Sequence, residues 1–360
     1  MKKVGIVTLF GNYNYGNRLQ NYAVQELVKN RGYKPITLVF ETSLIKKWYR
    51  MFKARMVSCK ALSVRTRALD KFNKEKIDKK NVYAPKGKVF GSLKNKYTFF
   101  VVGSDQVWNP EIRRKERSIF FLEFAHEKQR ICISPSIGVS SISEEYAGCY
   151  RRGLNGFSKL CCREEDGCKE IQRLSNKTCE RLIDPTMALS SKKWREFAAE
   201  YPVKINHRFI ICFFLGKMPE NVKDIIEQYA KQKSLIIYNI SNIDCEYYGA
   251  DPRELVGLID KSELVFTDSF HITAFSINLN KNFWVFDRND NSVRANHINS
   301  RIKTLTNLFE LRERYIDANF SLDDIEKKCC FEKANSVLDQ ERTKFYNYIN
   351  DVLNEEKNET

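Results

Sequence analysis

Two short apolar runs on either side of a helical one open the chain, and this pattern restricts the fold more than any other feature. "KKVGIVTLF" has the near-continuous hydrophobicity of a strand buried on both faces. Asn17 to Asn30 then reads as a helix with Leu19, Ala23 and Leu27 on one face and Gly32 as its stop signal. "PITLVF" is the next strand, so residues 2 to 40 form a βαβ unit of a parallel sheet. Further buried runs end in polar or glycine residues: "YTFFVVGS", "RICISPSIG", "KLCCRE" and "RLIDP". Near residue 205 the alternation restarts with "RFIICFFLG", the helix "MPENVKDIIEQYAKQK", "SLIIYNI", the helix "DPRELVGLIDKS", "ELVF", another helix and "NFWVFDR". At 360 residues the chain is long for one core. The expected fold is α/β, with two Rossmann-like domains facing each other across a cleft and joined near "DPTMALSSKKWREF". The expected division is 1–190, including a basic helical segment over 44–80, then 191–325, then a C-terminal helix and frayed tail over 326–360.

The formal charge of +16 raises three kinds of partner: nucleic acid, an anionic membrane and an acidic substrate. No nucleic-acid module is recognisable, so a nucleic-acid partner is not expected. Much of the charge lies in residues 46–80, where Lys and Arg are interleaved with Trp48, Tyr49 and Phe52. Such a segment either rests on an anionic lipid surface or is a solvated helix with its aromatic side chains packed inward. No window approaches the roughly 20 apolar residues of a membrane span. The eleven cysteines are odd in number, form no CxxC pair and have no histidine at zinc-finger spacing, so reduced thiols in a cytoplasmic protein are expected and no metal site is.

Several loops at strand ends carry groups suited to ligands. "FGNYNYGNRLQNYA" has Gly11 and Gly16 for close backbone approach, and Asn12, Asn14 and Asn17 to offer amides. It is not a GxGxxG turn, and a dinucleotide site is disfavoured. "VVGSDQVWNP" presents Asp105, whose carboxylate suits sugar hydroxyls, and Trp108, expected to plug the core. "CCREEDG" places Arg163 at a strand end, either as a fork for an anionic substrate or in a salt bridge with its neighbouring glutamates. In "ELVFTDSFHITAFSINLN", Thr267, Asp268 and Ser269 form a turn before an apolar helix that sets His271 in its first turn, where the helix dipole favours an anion. On that segment alone His271 is either a satisfied boundary residue or a catalytic one.

Taken together and in order, "NYNYGNRLQNYAVQ", "VVGSDQVWNP", "ISPSIG", "CCREEDG", "LIDPT", "DPRELVGLI" and "VFTDSFHITAFSI" resemble the polysaccharide pyruvyl transferase family, from Lys2 to about Phe309. "GSDQVWNP" and "TDSFHITAFSI" are the most specific parts. Ile272, where many relatives carry glycine, and the "GNRLQNYA" loop depart from the usual pattern.

The resemblance implies a fold like that of two-domain GT-B glycosyltransferases. It also implies transfer of the enolpyruvyl unit of phosphoenolpyruvate to a sugar of a capsular or cell-wall polysaccharide precursor, giving a pyruvate ketal and phosphate. By similarity His271 and Arg163 are the catalytic pair. Imidazole, with an ordinary pKa of about 6.5, suits proton delivery to the enol carbon. Asp268, Ser269 and Arg301 are expected on the phosphoenolpyruvate side, in the second domain. Asn14, Gly16, Asn17 and Asp105 are expected on the acceptor side, in the first. The scheme needs neither metal nor organic cofactor. A lipid- or nucleotide-linked sugar acceptor would give residues 46–80 a role at the inner face of the membrane. The alternative is a GT-B glycosyltransferase that uses a nucleotide-sugar donor.

Overall fold

The computed structural model describes residues 1–10, 14–41, 60–112, 117–288, 293–316 and 319–354. The chain forms two units: Met1–Ser63, Asp70–Ala188 and Arg342–Thr360 make the first, and Val64–Leu69 with Leu189–Glu341 the second.

In the first unit, β1 (Lys3–Val7), α1 (Tyr15–Lys29) and β2 (Lys34–Glu41) are the βαβ unit expected from the opening sequence. The helix begins slightly earlier than its apolar face suggests, because Asn14 caps it: extended in backbone, it accepts the Asn17 N–H at 3.3 Å. Leu19, Ala23 and Leu27 are buried, and Gly32, at φ +79°, supplies the left-handed residue after the helix. Next come α2 (Lys60–Lys76), β3 (Lys79–Tyr83), β4 (Phe99–Val102) and β5 (Arg130–Cys132), and the five strands form a parallel sheet in the order β3-β2-β1-β4-β5. From Val64 onward, α2 packs Leu69 and Phe72 inward and exposes Arg67, Lys71 and Lys74. Trp48, Tyr49 and Phe52 lie outside the described residues. Lys79 and Lys80, read as part of the helical segment, belong instead to edge strand β3. Its lysines face solvent and give no apolar run to recognise.

Beyond β5, α3 (Glu144–Asn155), β6 (Leu160–Cys162), α4 (Glu165–Ser175) and β7 (Cys179–Arg181) follow, with β6 and β7 in a separate two-stranded parallel sheet. "RLIDP" is thus mostly the exit from β7. Thiols link the sheets: Cys161 Sγ lies 3.6 Å from Cys132 Sγ, and the Cys161 N–H donates to Cys132 Sγ at 3.4 Å. All described cysteines are free.

The second unit contains α5 (Ser191–Ala199), β8 (Phe209–Phe213), α6 (Glu220–Lys233), β9 (Ile236–Asn239), α7 (Pro252–Lys261) and β10 (Leu264–Thr267). It continues with α8 (Phe270–Asn278), β11 (Phe283–Phe286), α9 (Val293–Leu308) and β12 (Tyr315–Ile316). Its sheet is also parallel, in the order β12-β11-β10-β8-β9. Phe266, Trp284, Phe286 and Phe320 centre one core, into which α6 inserts Val222 and Ile226. The terminal helix α10 (Phe331–Val352) contributes its residues from Arg342 onward to the first unit. There Phe345 and Ile349 are fully buried, the Tyr348 hydroxyl donates to the Cys132 carbonyl at 3.2 Å, and the Tyr33 hydroxyl donates to the Leu353 carbonyl at 3.2 Å.

Strand order reverses once in each sheet. The chain goes from β1 to β2 on one side and later to β4 on the other, and likewise from β8 to β9 and then to β10. Open α/β sheets bind ligands at the carboxyl ends of the strands flanking such a reversal. No helix among the described residues is long and apolar enough to cross a membrane.

Candidate functional site

The reversal in the first unit is spanned by side chains. Gln20, on α1, donates to Thr8 Oγ1 at 2.8 Å and accepts the Ser104 N–H at 2.9 Å, and the Thr8 hydroxyl donates to the Ser104 carbonyl at 3.2 Å, so one buried amide reinforces the direct link between the loops after β1 and β4. Gly103 has φ +114°, and a Cβ there would lie 2.3 Å from the Ile133 carbonyl oxygen, which restricts the position to glycine. Asp105 follows in the left-handed region at φ +66°, with its carbonyl accepting the Ser136 N–H at 2.8 Å. Trp108 plugs the core as expected, its indole N–H donating to the Phe120 carbonyl at 3.0 Å.

At the neighbouring loop, Gly16 lies buried in the first turn of α1 rather than in a tight turn, and Gly11 and Asn12 fall outside the described residues. Asn14 is exposed and engaged as the cap. Asn17 is buried, and its Nδ2 donates to the Leu9 carbonyl at 3.4 Å. Its Oδ1 has no hydrogen-bond partner among the described residues. A buried amide oxygen in that state is an acceptor suited to an O–H donor such as a sugar hydroxyl.

Arg163 is more deeply set than a substrate fork would be. Its Nη1 lies 2.8 Å from Asp184 Oδ2, its Nε 3.1 Å from Glu164 Oε1 and its Nη2 3.9 Å from Asp105 Oδ1. Asp184 Oδ1 also accepts the N–H and hydroxyl of Thr186, at 3.0 and 2.8 Å. Burial by itself depresses the guanidinium's pKa, but the carboxylates of Glu164, Asp184 and Asp105 outweigh it and raise the pKa above its ordinary value. Three carboxylates already surround this one buried cation. That disfavours the expected grip on a phosphate or carboxylate. In this setting the arginine fixes the carboxylates, Asp105 among them.

In the second unit, α8 starts directly after the β10 turn. Ser269 is its N-cap by backbone geometry, but its N–H donates to Thr267 Oγ1 at 3.0 Å, so the turn's expected donors reduce to those of Phe270 onward. The first intrahelical bond runs from the Thr273 N–H to the Ser269 carbonyl, at 3.0 Å. His271 is in the first turn, half-buried, its ring edge-on to Phe270 at 5.5 Å. Asp268 points across the strand-order reversal, its two carboxylate oxygens each accepting one backbone N–H of Leu215 or Gly216, at 2.7 Å, from the loop after β8. Arg301 is buried on α9. Arg288, in the loop that leaves β11, also binds Asp268. In "NFWVFDR" it reads only as the end of a strand.

The expected residues therefore fall into two groups, Asn14, Gly16, Asn17, Asp105 and Arg163 in the first unit, and Asp268, Ser269, His271 and Arg301 in the second. Among the described residues no group of three or more His, Cys, Asp or Glu is arranged to hold a metal ion.

The family model described as polysaccharide pyruvyl transferase matches residues 14–291. No curated protein matches the chain. Among solved structures, UDP-GlcNAc 2-epimerase from Neisseria meningitidis bound to UDP-GlcNAc is 11% identical, over 96% of this chain and 100% of that one, with a TM-score of 0.44. A glycosyltransferase from Rickettsia africae is 13% identical over 98% and 99% of the respective chains, with a TM-score of 0.42. A functionally uncharacterized protein from Klebsiella pneumoniae is 12% identical over 88% and 94%, with a TM-score of 0.46.

Proposed function

The chain belongs to the polysaccharide pyruvyl transferase family, and on that premise we propose that it transfers the enolpyruvyl unit of phosphoenolpyruvate to a sugar of a cell-surface polysaccharide precursor, forming a pyruvate ketal. The observation that carries the proposal is the position of His271. It stands in the first turn of α8, directly beyond β10 at the strand-order reversal, where helix N–H groups favour an anion. His271 gives a proton to the methylene carbon of the enol phosphate. A sugar hydroxyl bonds to the resulting oxocarbenium-like carbon, the C–O bond to phosphate breaks, and a second hydroxyl of the same sugar closes the ketal. Of the two hydroxyl protons released, one restores His271 and the other leaves on phosphate. A placed general acid contributes typically about 10²–10⁴-fold in rate.

The groups of the first unit serve the acceptor. Asn17 Oδ1 accepts a sugar hydroxyl and Asp105, held by Arg163, orients another. The acceptor is lipid- or nucleotide-linked, and the basic segment 46–80 meets the anionic membrane surface where a lipid-linked one lies. Co-sedimentation with anionic liposomes at low salt tests that last point, and absence of binding rejects it.

The test of the reaction is phosphate release that depends on both phosphoenolpyruvate and a sugar acceptor. His271→Ala should abolish it while circular dichroism stays unchanged. Full activity in that variant removes His271 from the mechanism, and turnover that depends on a sugar nucleotide in place of phosphoenolpyruvate removes the reaction.

A further inference from the structure

Arg288 differs from Arg163 in what surrounds it. Its Nε lies 3.4 Å from Asp268 Oδ2, its Nη2 donates to the Asp268 carbonyl at 3.1 Å, and its backbone N–H donates to Asn299 Oδ1 at 2.8 Å. Asp268 is itself fixed by the Leu215 and Gly216 N–H groups. The guanidinium is thus held from one edge. Its Nη1 makes no hydrogen bond among the described residues, and the side chain retains 13% exposure. The adjacent Asp287 carboxylate is engaged by the Tyr315 hydroxyl. Asp268 is the one carboxylate paired with this guanidinium, and it is shared with two backbone N–H groups, whereas three carboxylates surround Arg163.

We infer that Arg288 is an anion-binding residue, its Nη1 edge taking a phosphate or carboxylate oxygen of the donor while Asp268 holds the fork in register. The setting suits this role. Arg288 follows β11, reaches over the end of β10, and shares that carboxyl edge with the start of the His271 helix. A planar fork with one edge fixed and one edge exposed matches two oxygens of a phosphate or carboxylate. That the anion is phosphoenolpyruvate rests on the pyruvyl-transfer proposal; that Arg288 binds an anion does not.

The experiment is calorimetric titration of the full chain and of its Arg288→Met and Arg288→Lys variants with phosphoenolpyruvate, UDP and inorganic phosphate. Losing a charge-assisted contact should weaken phosphoenolpyruvate binding about 10- to 100-fold in Arg288→Met. Arg288→Lys keeps the charge beside Asp268 without the fork and should recover part of the loss. It also keeps the question answerable if Arg288→Met fails to fold. Wild-type affinity in a folded Arg288→Met, or in both variants, overturns the inference, as does a wild-type chain that binds none of the three anions. Preference for UDP over phosphoenolpyruvate would refute pyruvyl transfer alone. Arg288 would then stand if Arg288→Met weakened UDP by a similar factor, and fall if it did not.

Discussion

Replacing Arg163 by methionine separates a structural cation from a substrate fork. The substitution leaves Asp184, Glu164 and Asp105 buried without their shared counter-charge. Removing one member of a buried ion pair costs about 3–5 kcal/mol. Asp184 keeps the Thr186 N–H and hydroxyl as donors, which points to the lower half, about 3–4 kcal/mol. With two units, a single denaturation midpoint is poorly defined, so the measurement is native-state hydrogen exchange at the β5 and β6 amides. Adding Asp184→Asn should return at least about 1 kcal/mol, since it deletes one of the stranded charges. An exchange free energy lowered by less than about 1 kcal/mol would refute this account of Arg163 and return it to the role of holding an anionic substrate.

Other substitutions probe the scaffold of the site. Gln20→Leu strands the Ser104 N–H, while the Thr8 hydroxyl keeps the Ser104 carbonyl at 3.2 Å, and should cost about 1–3 kcal/mol in native-state hydrogen exchange of β1 and β4 while weakening acceptor binding. Gly103→Ala combines a positive φ with a Cβ only 2.3 Å from the Ile133 carbonyl oxygen and should destabilise by more than about 2 kcal/mol, whereas Gly148→Ala on α3, with open space around its Cβ, should stabilise by about 0.5–1 kcal/mol. Glu170 is held below the usual carboxylate range by Arg173, against the opposing effect of burial and with help from the Ile142 N–H. Its stabilisation is therefore present above the unfolded carboxyl pKa and lost as pH falls through the lower folded one, so Glu170→Gln should be less stable than wild type at neutral pH and converge with it in acid. Equal spacing of the two unfolding curves at every pH would contradict that assignment.

What the sequence made legible follows from how each feature is encoded. Strands β1, β4, β8, β10 and β11 are continuous apolar runs, and α1 and α6 carry their apolar faces at helical spacing, so local pattern sufficed. Edge strand β3 offers lysines instead, so its sequence continues the pattern of the preceding helix. The same limit applies at the site. Glu164 beside Arg163 was visible as a rival partner, but Asp184 and Asp105 arrive from distant loops, and only the fold reveals their combined charge. Asn14 illustrates an ambiguity of chemistry, since the amide that suits a ligand also suits a helix cap. Arg288 was hidden because a strand-terminal arginine acquires meaning only once Asp268 is seen beside it.

The sharing of α10 has a consequence for how the chain is made. The first unit closes its core with Phe345 and Ile349, and Tyr348 anchors them to the Cys132 backbone. On a ribosome those residues emerge only after everything from Leu189 to Glu341 has been synthesised. The unit that begins first must therefore wait, the Cys132 carbonyl still without its Tyr348 hydroxyl, while the later one already has its whole sheet. Chains interrupted before Arg342 should retain a folded second unit beside an incomplete first one.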